Sequence, residues 1–225
     1  ILFSLVLNEY SRLSFEAIRS NQMFKMEGLT VAEGILRPIF SSTAFLMLLI
    51  MPLLTMKSFS EEKKSGAIEI LFTYPISGFA LVVGKFMAAV TVFAVMLAFT
   101  ASHYLMVLYF KPVPLGEMFT GYLGLFLMGT AFISLGVFIS SLTENQVIAA
   151  AWSFGMIMAF WLVGWLAGDS REPIAEIIRY LSIFKHFESF ASGIIDTRDV
   201  IYYLSFSGLF IFSTLRVIES KRWRS

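Results

Sequence analysis

Long apolar runs separated by polar breaks organise the chain. Five runs reach the roughly 20 residues that an α-helix needs to cross the hydrocarbon core of a bilayer. They are Pro38 to Met56, Phe79 to Phe110, Phe119 to Leu142, Val147 to Leu166 and Val200 to Val217. The second is long for a single crossing, which predicts a tilted or protruding helix. Pro52 lies late in the first, where a kink is expected. Ile1 to Leu7 is also apolar but extends only about 10 Å as a helix. It reads as the remnant of an incomplete first span, without the basic start or small-residue cleavage site of a signal peptide. The expectation is an all-α, polytopic membrane protein with six spans, the first incomplete. Tyr104, Tyr109, Tyr122, Trp165, Tyr202 and Tyr203 fall near span ends, as an aromatic belt does.

The breaks differ in kind. Residues 8–37 form a long segment of mixed charge, placed on the outer side, and 111–118 a short one with Pro112 and Pro114. Thr143 to Gln146 is a tight polar turn, and 167–199 is a second long outer segment. The remaining break, 57–78, begins with a charged cluster, Glu61, Glu62, Lys63 and Lys64. Ala67, Ile68, Ile70, Leu71 and Phe72 then make an apolar-rich helical stretch interrupted by Glu69, which Pro75 stops. Gly66 lets the chain change direction between the two parts. The prediction is a short amphipathic helix at the membrane surface. By itself this pattern is equally that of an interfacial helix that anchors the loop. Basic residues near the span ends, among them Lys57, Lys63, Lys64, Lys85, Arg216, Lys221 and Arg222, place this loop and the C-terminus on the cytoplasmic side.

Composition supports the membrane assignment and narrows the chemistry. Of 225 residues, 57% are hydrophobic and 15% charged, against roughly 45–50% and 25% in soluble domains. A net charge of +1 gives no reason to expect a nucleic-acid partner. The absence of cysteine excludes disulfides, thiolate metal sites and cysteine nucleophiles. No G-x-x-x-x-G-K-[ST] phosphate loop is present; the Gly-Lys at Gly84-Lys85 lacks the spaced glycines that cradle phosphates. The two histidines, His103 and His186, have no metal-ligand spacing, so neither a metal nor a catalytic site is expected.

The run from Ser58 to Ala89, SFSEEKKSGAIEILFTYPISGFALVVGKFMAA, resembles the signature stretch of ABC-2 type transporter permeases. The likeness is nearest to the branch of the gliding-motility and nitrous-oxide-reductase-maturation permeases. The matching positions are Glu61 to Lys64, Ser65-Gly66, Ile68 to Leu71, Pro75 to Ser77 and Gly84-Lys85. The segment from His186, HFESFASGIIDTRDVIYYLSFSGLFIF, and the tail VIESKRWR resemble the same branch. The resemblance implies a type V exporter-like permease of six helices, a single ABC-2 transmembrane domain over 1–225, in the bacterial inner membrane. It also implies a separate ABC ATPase in two copies, which carries the ATP and Mg²⁺, and a second permease copy as homodimer partner. The branch further suggests an accessory outer or membrane protein. ATPase coupling would fall on Glu61, Glu62, Lys63, Lys64, Gly66, Ile68, Glu69, Ile70, Leu71, Phe72 and Pro75, with Glu62, Gly66, Glu69 and Leu71 foremost. The work done is export or force transmission across the membrane.

Three further patterns remain open from sequence. From Pro173, the positions Ile174, Ile177, Ile178 and Leu181 follow a helical stripe, and Phe184, Phe187, Phe190 and Ile194 continue it past His186. This segment is either interfacial packing or an outer gate or partner contact built on Phe184, His186, Phe187 and Phe190. Glu144, Asn145 and Gln146 form either a solvated turn or a second ATPase contact. Gly121, Gly124, Gly129 and Gly136 recur along one span, which predicts close helix approach either within one subunit or between two. Two other functions compete: a non-transporting membrane anchor or assembly subunit, and an intramembrane enzyme using Glu61 and Glu62. The second lacks suitably placed histidines.

Overall fold

A computed structural model of the chain describes residues 36–110, 115–166 and 173–222. Every regular element among them is an α-helix. The long ones are α1 (Arg37–Thr55), α4 (Gly78–Phe110), α5 (Leu115–Leu142), α6 (Gln146–Leu166) and α9 (Thr197–Arg222). Four short ones lie between them: α2 (Ser60–Lys64), α3 (Ala67–Thr73), α7 (Pro173–Leu181) and α8 (Ile183–Ala191). All five long helices are long and apolar enough to cross a membrane. Their bounds match the five complete runs read from the sequence to within a few residues, and α1 continues through Pro52. The apolar run Ile1 to Leu7, most of the segment 8–37, and residues 111–114, 167–172 and 223–225 lie outside the described residues. So do the side chains of Phe72, His103, Tyr104, Tyr109 and Trp165.

Helix α5 is the centre of the bundle. Its most apolar stretch is 83% buried, against 22–39% in the other four crossing helices, and α1, α4, α6, α8 and α9 all pack against it. The four recurring glycines explain how so many neighbours fit. A Cβ at Gly121 would overlap the Phe40 ring, and one at Gly129 the Phe93 ring and Met47. At Gly124 it would meet Phe190 and Phe187, and at Gly136 it would meet Thr55. All four thus face helices of the same chain, and close approach within one subunit accounts for them. The same contacts set direction: α1 meets α5 at Phe40–Gly121, Met47–Gly129 and Thr55–Gly136, so the two helices run parallel.

The contacts also define two ends. The loop carrying α2 and α3 sits at the C-terminal end of α5, beside Ser140 and Ser141. The pair α7–α8 sits at its N-terminal end, where Phe187 and Phe190 are fully buried against Gly124 and Arg37 of α1 hydrogen-bonds Ser192. On the other crossing helices large apolar side chains point away from the bundle, among them Leu49 and Leu53 of α1, Phe99 of α4, Trp152 of α6 and Leu209 of α9. Such all-round apolar surfaces suit lipid or a second apolar surface.

Candidate functional site: a seated helical hairpin at one end of the bundle

The charged loop folds as two short helices joined by a left-handed residue. Ser65 and Gly66 close α2 through backbone bonds to Glu61 and Lys63. Gly66 then takes φ +73°, and Glu69 N–H donates back to its carbonyl at 3.1 Å to start α3. A Cβ at Gly66 would meet nothing within 4 Å. The demand for glycine is therefore conformational, since side-chain-bearing residues lose about 1–2 kcal/mol in this region. Tyr74 turns extended and Ser77 Oγ accepts from Ala80 N–H at 3.2 Å as α4 begins.

The hairpin is held by residues of α4 and α5, not by its own short helices. The first N–H groups of a helix have no partner inside it. Here Ser140 Oγ, from α5, accepts from Phe59 N–H at 2.9 Å and Ser60 N–H at 3.1 Å, and donates to Met56 O at 3.1 Å. One hydroxyl thus caps α2 and ties it to the end of α1. Phe59 is fully buried beneath. Lys63 is buried as well and donates to the Ser141 carbonyl; Glu144 and Lys221 are its charged neighbours. From two turns into α4, Lys85 Nζ reaches Glu62 Oε1 at 2.5 Å and Ser58 O at 2.7 Å, with the Phe59 ring 5.1 Å away. These are charge-assisted bonds in a half-buried setting, stronger than surface pairs.

The seat sorts the residues singled out in the sequence into two groups. Glu62, Lys63 and Ile68 turn inward; Ile68 is 7% exposed and belongs to the core. Glu61, Lys64, Glu69, Ile70 and Pro75 face outward, and Leu71 is half-buried. Ile70 is 63% exposed, and Tyr74, Ile76 and Phe79 extend the apolar surface along the chain. The outward face is an apolar ridge bordered by both signs of charge, the composition of a protein interface with a polar rim. Close by, Asn145 Oδ1 accepts from Val147 N–H at 2.9 Å, so Asn145 serves as the cap of α6, while Glu144 is exposed. Ser140, Ser141 and Lys85 were not legible as site residues beyond Lys85's place in the Gly-Lys pair. A serine in an apolar run gives no sign of which backbone it will cap.

Among the described residues no group of three or more His, Asp or Glu side chains is placed to hold a metal ion. At the other end, Phe184 stacks on Trp161 of α6 at 4.3 Å between ring centres, while His186, Phe187 and Phe190 are buried.

A bundle of bilayer-length apolar helices with a charged hairpin fixed at one end is the architecture of a multi-pass membrane protein. Residues 6–218 match the family described as ABC-2 family transporter protein, and the chain belongs to that family. It is a transmembrane component of a transporter. No curated protein matches the chain.

Proposed function

We propose that the chain is the permease subunit of an ATP-driven ABC-2 transporter, and that the α2–α3 hairpin is where a separate ATPase delivers its work. The observation that carries this reading is the division of the hairpin. Its inner face is fastened to α1, α4 and α5 by Ser140, Lys63 and Lys85, while Ile70 and Tyr74 stand exposed. A force applied to the exposed face is thereby delivered to three crossing helices. ATP and Mg²⁺ belong to the ATPase, two copies of which serve two permease copies, and the hairpin and C-terminus lie in the cytoplasm of a cell whose inner membrane holds the complex. The likeness of 186–212 to the gliding-motility and nitrous-oxide-reductase-maturation branch favours that branch, in which an accessory protein joins. The product of the cycle is export or force transmission.

Replacing Ile70 with Asp puts a charge on the ridge without touching the seat. The purified chain is expected to keep its thermal stability and to bind the ATPase at least about ten-fold more weakly, as loss of a central apolar anchor does. Titration of the ATPase against immobilised chain measures this. Unchanged affinity would remove the ridge from the interface.

A further inference from the structure

The far end of the bundle holds a polar cluster that the coupling hairpin does not explain. α7 and α8 meet at Ser182, and α7 ends there with carbonyls that have no helical partner. Side chains supply the partners. His186 Nε2 lies 2.9 Å from Tyr180 O and Tyr202 Oη donates to Leu181 O at 2.9 Å, while Tyr203 Oη donates at 2.8 Å to Ile183 O, in the first residue of α8. Both tyrosines come from α9. His186 Nδ1 lies 2.6 Å from Oδ1 of Asp199, in the first turn of α9, and the imidazole stacks on the Tyr202 ring at 3.9 Å between centres. The His186 and Asp199 side chains are only 9% and 10% exposed, and Asp199 Oδ2 is buried with no hydrogen-bond partner. The bond to His186 is therefore this carboxylate's side-chain anchorage. Both ring nitrogens face acceptors, so the ring meets both only with hydrogen on each nitrogen, or with the Asp199 carboxyl donating to Nδ1. Three elements meet at this histidine: the end of α7, α8 itself and the start of α9.

α9 runs from this cluster to the hairpin. Its 26 residues extend about 39 Å. At its other end Leu215 and Glu219 face Gly78, where α4 leaves the hairpin, and Lys221 neighbours Lys63. One continuous helix thus touches the seat of the hairpin and the junction of α7 and α8.

We infer that His186 and Asp199 form a pin that makes the helical pair α7–α8 move with α9, so that displacement begun at the hairpin is delivered at the opposite face of the membrane. They are positioning residues. The inference rests on the proposed coupling of the hairpin to an ATPase for the source of motion, and on the geometry alone for the pin.

The test is hydrogen exchange of the amides of α7–α8, read by mass spectrometry, in lipid nanodiscs. The chain is measured alone and then with its ATPase, with and without ATP. His186→Phe keeps a ring to stack on Tyr202 and removes both polar contacts. Asp199→Asn keeps the shape and the acceptor and removes the charge, and serves if the first variant does not fold. In the chain alone, His186→Phe is expected to raise exchange in α7–α8 about ten-fold or more, the scale of losing a hydrogen bond to a charged group, and exchange in α2–α3 is expected to stay as it was. In the complex, ATP is expected to alter α7–α8 exchange with the natural residues, not with His186→Phe, while the ATPase stays bound. The exchanged pair, His186→Asp with Asp199→His, is expected to recover part of the ATP response, which a purely structural role does not predict. Unchanged α7–α8 exchange in both single variants would overturn the pin. An ATP response that survives His186→Phe would overturn its part in transmission. If no ATPase binds even the natural chain, the coupling reading fails, and the measurement on the chain alone still decides whether the pin exists.

Discussion

The chain with Gly136→Ala is expected to fold poorly, although the change adds one methyl group. Gly136 lies where α1 and α5 come closest at the hairpin end, and the added carbon would overlap Thr55. Thr55 cannot move aside easily. It is fully buried, β-branched and bonded through Oγ1 to Met51 O at 2.9 Å. The helices must separate instead, and overpacking of this kind costs about 1–3 kcal/mol. Four residues on, Ser140 holds the start of α2, so the same separation loosens the hairpin. Thermal unfolding in detergent is the measurement. The midpoint should fall clearly for Gly136→Ala and hold or rise for Gly155→Ala, because a Cβ at Gly155 meets nothing within 4 Å and alanine is the better helix former. Equal midpoints would mean that α1 and α5 do not meet at this glycine.

The second large effect is expected from Lys85→Met. The substitution keeps the length and packing of the side chain and removes the ammonium that meets Glu62 Oε1 and Ser58 O. Glu62 is then left with one oxygen already buried and unpartnered and the other without its cation. Losing a bond to a charged group costs about 1.5–3 kcal/mol, reduced here because both side chains are about a quarter exposed. Amide exchange across residues 58–73 should quicken by about ten-fold, with α5 and α9 unaffected. The charge-reversed pair, Glu62→Lys with Lys85→Glu, should bring it back part of the way. Exchange that stays slow in Lys85→Met would show that Ser140 and Lys63 suffice to seat the hairpin.

The crossing helices were legible in the sequence because bilayer length imposes itself on composition: a run such as Val147 to Leu166 has few other uses. The short helix α3 was legible too, from Gly66, Pro75 and the switch from charged to apolar residues. That the charged cluster before Gly66 forms a second helix, α2, was not, nor was the orientation of the pair. Glu62 and Lys63 are neighbours of Glu61 and Lys64 in one charged cluster, yet the first two are drawn inward and the others point out. A five-residue helix has no periodicity from which to read a face; what decides is Lys85 on one side and the Ser141 carbonyl on the other. Ile68 reads like Ile70 in sequence and is a core residue. The glycines of α5 announced close approach without naming the partner, because a missing side chain carries no information on what fills its place. His186 showed an apolar company of Phe184, Phe187 and Phe190; its pairing with Asp199 crosses the break between α8 and α9, which no helical spacing predicts.

Docking of the ATPase on the exposed face of α3 is open to a site-specific cross-link. A photoreactive residue at Ile70 should give, on illumination of the intact complex, an adduct of the chain with its ATPase, and the same residue at Leu209, on the exposed side of α9 within the bilayer-length stretch, should give none. An ATPase that co-purifies with the chain but is never captured from Ile70 or Tyr74 would have to dock elsewhere than on the face of α3.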